Sequence, residues 1–342
     1  MRFNPNEVHV VYCSSDLFAE VCGVSIASLF ENNRHLAQIT VYVIDDAISE
    51  TNKARLLSLA EGYGRRVVFI PLPNAAEFYG DERFHLGSLG HTYARMILGD
   101  VLPAGVERII SLDSDTMVLG RVDELWNTDM GEHPIAGVDD CMGKVALVKT
   151  QHLPADCAHC NAGMFLIDLD TWRRENWTNQ FFLYMKGLFD RGIALGGYEE
   201  EVINHLLHER MLVLPPKFNL MTLEQVLSYD ELWRFREPLH YYSREEIDEA
   251  RKHPVITHTT NFFYVRNRIF EAGSDHPQRS NYVKYRALTP WANEPVMTMP
   301  STAKQRLMKN VWHWMPRPLA IRAANFVRNE IRPRLAKKRD DE

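Results

Sequence analysis

Asp113-Ser114-Asp115 closes the apolar run Arg108-Ile109-Ile110-Ser111-Leu112. Two carboxylates one residue apart, where a strand opens into a loop, can converge on one hard cation. The small Ser114 between them leaves room for a ligand to approach the backbone. Mg2+ or Mn2+ held by carboxylates completes its shell with substrate phosphates, and at a diphosphate it neutralises a phosphate leaving group. D-x-D is also common in solvated loops, but two charges at the mouth of a buried strand need a reason. His258 is placed in a similar way, ending Val255-Ile256-Thr257 ahead of Thr259, Thr260 and Asn261. Neutral imidazole is a good third ligand for Mn2+. By residue type alone, one histidine among fourteen is as readily a surface or hydrogen-bonded core residue.

Two further segments have chemical potential. Asn161-Ala162-Gly163 precedes Met164-Phe165-Leu166-Ile167-Asp168. A side-chain amide followed by two small residues permits close contact with sugar hydroxyls, and it also serves as a plain turn into a core strand. Glu199-Glu200-Glu201 opens a helix after Gly196-Gly197. Acids favour a first helical turn through the macrodipole, and a run entered from a Gly-Gly loop also projects into a cleft. Cys157-Ala158-His159-Cys160 lacks the second ligand pair of a zinc site, so these cysteines read as buried or loop thiols.

These residues must be positioned by a core. Strand patterns at His9–Tyr12, Thr40–Ile44 and Val67–Ile70 alternate with helical patterns at Leu17–Asn32 and, capped by Ser49, through Ala60 to Gly62 and Gly64. That alternation predicts an α/β fold with a mostly parallel sheet, whose ligands bind beyond the carboxyl ends of the strands. A helix near His91–Leu98 leads to the strand 108–112. A helical turn at Val122–Trp126 and a strand at Pro134–Val138 follow, then a patternless loop from Asp139 to His159. Gly163–Ile167 resumes the core, with helices at Trp172–Leu188 and Glu199–Glu209 and strands at Met211–Leu214 and Val255–His258. Between these, residues 223–252 read as irregular plus one charged helix.

With 45% hydrophobic and 25% charged residues in 342, the chain has the balance of a folded protein and not of a disordered one. A net charge of −6 gives the whole molecule no pull toward nucleic acid. From Lys304 to Arg339, however, eleven residues are basic and only Glu330 is acidic. The expected division is a catalytic domain over 1–290 and a basic, amphipathic, helical C-terminal region over 291–342. Trp312, Trp314, Leu319, Ile321, Phe326 and Ile331 interleave its charges, so contact with an anionic membrane surface is expected of it. No apolar secretion segment follows the N-terminal charges, and no window offers the ~18 uninterrupted apolar residues of a spanning helix. Five cysteines without regular spacing fit a reducing compartment. The expected location is cytoplasmic, peripheral to the inner face of the membrane.

Taken in order, the segments resemble glycosyltransferase family 8, especially its bacterial lipopolysaccharide and lipooligosaccharide galactosyl- and glucosyltransferases. The similar stretches are Val10 to Asp16, Ser28 to Asn33, Thr92-Tyr93-Ala94-Arg95, Leu112 to Asp115, Val122 to Trp126, Asn161 to Gly163, Glu199 to Asn204, Phe218-Asn219 and His258. The resemblance implies a nucleotide-sugar-binding fold of the type called A and a retaining transfer that needs Mn2+, with Mg2+ as the alternative. It places Asp113, Asp115 and His258 on the metal ligands, Arg95 on a donor-binding arginine, and Cys13, Ser15 and Asp16 where the uracil ring is read. Ser114 falls in the donor loop, Asn161 and Ala162 face the donor sugar, Glu199 binds its hydroxyls, and Glu200 lies beneath the anomeric carbon.

The sequence also departs from that pattern. Glu200 stands where the family has glutamine, and the uracil-contacting aspartate aligns with Ser15 rather than Asp16. Asn261, Phe262, Phe263 and Tyr264 follow His258 where a glycine and then a Lys-Pro-Trp run are usual, so Arg266 or Arg268 is expected to take the lysine's place at the diphosphate. A carboxylate at Glu200 could stabilise developing positive charge, as front-face transfer needs, or attack to form a covalent intermediate. The expected substrates are a UDP-hexose, galactose or glucose, and a glycan or lipid-linked glycan acceptor. A nucleotide-sugar hydrolase and a silent nucleotide-binding or assembly protein are the competitors. The aromatic run Phe262–Tyr264, a plausible acceptor wall, argues against the first; the three retained ligands argue against the second.

Overall fold

The computed structural model describes residue 4 and residues 6–84, 93–149, 153–192, 198–300 and 302–331. His91, Thr92, Gly196, Gly197 and the basic run beyond residue 331 lie outside the described residues. The principal sheet has seven strands in the order β3-β2-β1-β4-β7-β6-β8. These are β1 Glu7–Ser15, β2 Gln38–Asp46, β3 Arg66–Pro71, β4 Arg108–Leu112, β6 Ile135–Asp139, β7 Cys160–Asp168 and β8 Met211–Val213. β1 pairs in parallel with β2 and β4, β2 with β3, and β6 with β8; only β7 runs antiparallel to its neighbours. The sheet is therefore mixed and mostly parallel, as the strand–helix alternation predicts.

The reversal of β7 determines where the site forms. Parallel strands collect their ligand-binding loops at their carboxyl ends. An antiparallel strand presents its amino end at that same edge, so Cys160-Asn161-Ala162 sits beside the end of β4. The pairing of Leu112 with Met164 continues as Asp113 N–H donates to Gly163 O at 2.9 Å. A second, three-stranded sheet orders β5 Thr116–Val118, β10 Ile256–His258 and β9 Leu220–Met221 as β5-β10-β9. Antiparallel register sets His258 opposite Thr116.

The helix Ala19–Asn32 lies between these layers, and every residue from Ala19 to Phe30 is buried. A helix buried all round must satisfy its polar groups internally. Ser25 Oγ accordingly bridges Tyr12 Oη (3.0 Å) and Thr116 Oγ1 (3.1 Å), and Ser28 Oγ accepts from Val118 N–H at 2.9 Å. Gly23 permits close packing, since a Cβ there would stand 2.6 Å from the Trp291 ring.

Several elements differ from the sequence pattern. The expected loop 139–159 contains a helix, Lys144–Lys149, and the single helix expected over 172–188 is two, Leu169–Arg174 and Trp177–Asp190. They part at Asn176, which takes the left-handed conformation (φ 55°) that asparagine tolerates. Residues 222–252 form three helices rather than one; two begin in capping boxes, Ser228 with Glu231 and Ser243 with Glu246. β5 and β9 are too short to show periodicity. Ser49 caps its helix as expected, accepting from Asn52 N–H.

The C-terminal helices Ala303–Trp314 and Arg317–Phe326 fold back on the body. Pro316 and Pro318 fall where proline is tolerated, at and just inside the start of the second. Arg317 donates to both oxygens of Glu231 at 2.8 Å, and Ile321 and Ala324 are buried with Leu232, Phe235 and Ile247.

Trp291 is 3% exposed and belongs to the main core with Ile26, Phe30 and Trp126. Trp291→Ala should cost about 3–5 kcal/mol through the cavity it leaves. An unchanged midpoint in urea would show that this tryptophan does not anchor the core.

Candidate active site

The two pairings described above bring Asp113, Asp115 and His258 together, with ligand atoms all within 4.8 Å of one another. His258 Nε2 stands 3.2 Å from Asp115 Oδ1 and 3.5 Å from Asp113 Oδ2. Its Nδ1 is 3.0 Å from Asn161 Oδ1, an atom that also accepts from Gly163 N–H (3.0 Å) and the Asn219 side-chain amide (3.1 Å). An oxygen so used is an acceptor, so Nδ1 carries an N–H. Nε2 is the nitrogen turned to the two acids, hydrogen-bonded to Asp115 and able to offer its lone pair to a cation in place of that proton. A histidine fixed through one nitrogen by a second group is how metal-binding imidazoles are usually oriented. Two carboxylates and one neutral imidazole form a donor set that fits Mn2+.

Within the cluster the charges compensate one another. Burial opposes the charged forms of both partners, yet His258 and Arg268 hold Asp115 below the usual carboxylate range. Asp115 and Asp113 likewise keep His258 above its ordinary value. Arg268 Nη2 donates to Asp115 Oδ2 at 2.8 Å, and Arg95 Nη2 to Asp113 Oδ1 at 2.5 Å. Arg95 also grips Glu199 and reaches Ser111 Oγ at 3.1 Å. Burial pushes Glu199 up to about 7 against the pull of Arg95.

Glu200 Oε2 accepts from Ala162 N–H at 2.8 Å and from the Asn161 amide at 3.0 Å. Burial first, then the charge of Asp140, pushes Glu200 up to about 8. Asn161 thus links the two halves, its oxygen on His258 and its nitrogen on Glu200.

A cleft of about 180 Å3 is lined by Cys13, Ser15, Arg95, Asp113, Ser114 and Arg268. Ser114 Oγ donates to Cys13 O at 3.1 Å, tying the end of β1 to the acidic loop. Asp16 is employed differently. Its Oδ1 accepts from Ser49 N–H (2.9 Å) and the Asn52 side chain (2.8 Å) at the start of the next helix. Arg266, offered by the sequence beside Arg268, is exposed and donates its backbone N–H to Asp275, whereas Arg268 faces the cleft. A larger hollow of about 410 Å3 lies at the end of β2, lined by Asp45, Leu72 and Tyr79 among others; Asp45 is paired with Lys53 at 2.8 Å.

The roles of Ser111, Asn219, Asp140 and His159 are not read from sequence. For Asp140 a signal exists: Val138-Asp139-Asp140 ends an apolar strand with acids just as Leu112-Asp113 does.

A profile of glycosyl transferase family 8 matches residues 9–260. The chain belongs to this family. General stress protein A of Bacillus subtilis is 25% identical over 285 residues, covering 83% of this chain and 94% of that protein. Lipopolysaccharide 1,3-galactosyltransferase of Salmonella typhimurium is 21% identical over 297 residues, or 84% and 80% of the two chains. Among solved structures, the galactosyltransferase LgtC in complex with donor and acceptor sugar analogs aligns with a TM-score of 0.65 at 19% identity. That alignment covers 88% of this chain and all of LgtC. The family membership makes this chain a glycosyltransferase, and the LgtC likeness gives it the type A fold.

Gly163 is indispensable to the arrangement, because a Cβ there would stand 2.1 Å from His258 Nδ1 and 2.9 Å from Asn161 Oδ1. Gly163→Ala should therefore displace the imidazole; if the three residues hold Mn2+, its affinity should fall about 10–100-fold, the usual cost of losing ligand orientation. Calorimetric titration with Mn2+ checks this; an unaltered isotherm would mean that His258 is not a ligand.

Proposed function

We propose that this protein is a retaining, Mn2+-dependent transferase that moves galactose or glucose from a UDP-sugar to a lipopolysaccharide or other surface glycan. The observation that carries the reading is the convergence of Asp113, Asp115 and His258 beside two arginines, Arg95 and Arg268, at the carboxyl edge of the sheet. A dianionic pocket edged by guanidinium groups suits a diphosphate that brings its own cation. The galactosyltransferase activity named for the Salmonella relative supports the choice of donor and acceptor class.

Asp113, Asp115 and His258 would hold the cation, which supplies charge neutralisation to the departing diphosphate. Arg268, which pairs with Asp115 and lines the cleft, would contact the diphosphate in place of the missing family lysine. Arg95 keeps Glu199 and Asp113 in fixed relation, and Glu199 faces the cleft where sugar hydroxyls are expected. Asn161 and Ala162 hold Glu200 through Oε2. At neutral pH a carboxyl pushed up to about 8 keeps its proton, which falls to Oε1 because Oε2 is already an acceptor. A protonated carboxyl offers one acceptor and one donor, the pattern of a primary amide. Glu200 therefore reproduces the family's glutamine, which supports front-face transfer over covalent attack.

With Mn2+ and a panel of UDP-sugars, UDP release should appear with a galactosyl or glucosyl donor and rise when a glycan acceptor is added. Asp115→Asn should lower turnover about 10²–10³-fold. Arg268→Ala should raise the donor KM, and Glu200→Gln should keep near-normal turnover. Release indifferent to acceptor would mark a hydrolase, silence with every donor would mark a binding protein, and loss in Glu200→Gln would restore the nucleophile.

Among the described residues no helix is long and apolar enough to cross a membrane. The C-terminal helices nevertheless turn Leu307, Trp314, Leu319 and Phe326 to solvent near the exposed Arg322. Apolar side chains beside cations support peripheral contact with an anionic membrane, where a lipid-linked acceptor would be met. Vesicles containing anionic phospholipid should sediment the protein at low salt, and Trp314→Ser with Leu319→Ser should release it. Equal partitioning of the two proteins would remove the membrane from the proposal.

A further inference from the structure

A second group of ligating side chains lies behind Glu200. The pairing of β6 with β7 slips between Gly137 and Asp139, the kind of irregularity that re-aims side chains near functional sites. After the slip, Asp140 N–H donates to His159 O at 2.8 Å and His159 N–H to Asp139 Oδ1 at 3.3 Å. Cys141 then takes a left-handed φ of 46°, a strained choice for a residue other than glycine. Glu200 approaches from the helix Tyr198–Leu207, which Asn204 fastens to Cys160 by two hydrogen bonds of 2.8 and 2.9 Å.

Asp140, His159 and Glu200 present one ligand atom each, all within 4.8 Å of one another. A cation with bonds of about 2.1 Å spaces its ligand atoms about 3–4.2 Å apart, so the three need only a small contraction to share one. His159 is 0% exposed, its Nε2 stands 3.8 Å from Glu200 Oε1, and neither ring nitrogen has a hydrogen-bond partner among the described residues. A buried polar ring without a partner is costly unless something binds it. Burial drops the ring's pKa to about 4, so its lone pair is free at neutral pH. Arg236 Nη2 lies 3.6 Å from Asp140 Oδ1 and compensates that acid; Glu200 Oε2 is held by Ala162 and Asn161, which leaves Glu200 Oε1 to face the imidazole.

We propose that Asp140, His159 and Glu200 form a second divalent-cation site, suited to a borderline cation such as Zn2+ and distinct from the Asp113–Asp115–His258 set. Imidazole nitrogen and carboxylate oxygen are both zinc ligands, and three of them leave a fourth tetrahedral position open. A cation bound there displaces the proton carried by Glu200 Oε1, removes the amide-like donor and so inhibits transfer. That consequence, unlike the site itself, rests on the functional reading given above.

Equilibrium dialysis of the full chain against Zn2+, with bound metal measured by atomic absorption, tests the site without any turnover. The expected content is two zinc ions in the wild type and one in the Asp113→Asn, Asp115→Asn protein. His159→Gln should also hold one, with its second-site affinity weakened at least about 100-fold. Circular dichroism and the Mn2+ resonance of the first site confirm that His159→Gln is folded; if it is not, Asp140→Asn replaces it. A wild type that binds a single zinc ion, lost with Asp113 and Asp115 and indifferent to His159, overturns the site. In the transfer assay with Mn2+, Zn2+ should inhibit the wild type at concentrations about 10-fold or more below those needed for His159→Gln. Two bound ions with equal inhibition of both proteins would keep the site and overturn its inhibitory role. Absence of transfer in every protein counts against the functional reading alone.

Discussion

Two like charges held one residue apart at the end of a buried strand are the constraint around which this molecule is arranged. Asp113 and Asp115 cannot separate, because β4 fixes one side of the loop and β5 the other. Their repulsion must be met by positive or proton-donating groups brought from elsewhere in the chain. Arg95 meets Asp113, Arg268 meets Asp115, and His258 faces both. The elements carrying these three groups are placed by sheet pairing and by the burial of Arg95 beneath the loop. Under the function proposed above, an incoming diphosphate with its cation would replace each of these interactions by one of the same sign.

Asn161 is the joint between the two chemical halves. Its oxygen orients the imidazole and its nitrogen holds Glu200, so the acidic cluster and Glu200 are separated by one side-chain amide. The position works because β7 is reversed. Had β7 run parallel to β4, residue 161 would lie at the opposite edge of the sheet, and neither contact could form.

Much of this was legible in the sequence where a residue type and a strand end coincided. The acids after Leu112 and the histidine after Thr257 could be picked out because charge at the end of an apolar run is conspicuous. The first three strands and the capped helix at Ser49 follow from periodicity and turn chemistry. What sequence did not disclose depends on pairing between distant segments. The three-residue β5 and two-residue β9 have no period to read, yet β5 and β10 deliver His258 to Asp115. The choice between Arg266 and Arg268 turns on which of two nearby side chains faces inward, and composition is blind to that. The capping boxes at Ser228 and Ser243 were present in the letters, but charged residues around them obscured the short amphipathic helices.

The clamp between Arg317 and Glu231 has a consequence for how the chain tolerates modification. Asn325 donates to the carbonyls of Arg234 and Phe235, so the C-terminal helix also closes the end of the helix it lies on. Removing residues from 317 onward would bare Phe235 and Leu232 and leave those carbonyls to water. A tagged or fluorescent form therefore has to keep the clamp, since a shortened form ending before it would carry a sticky apolar face of its own.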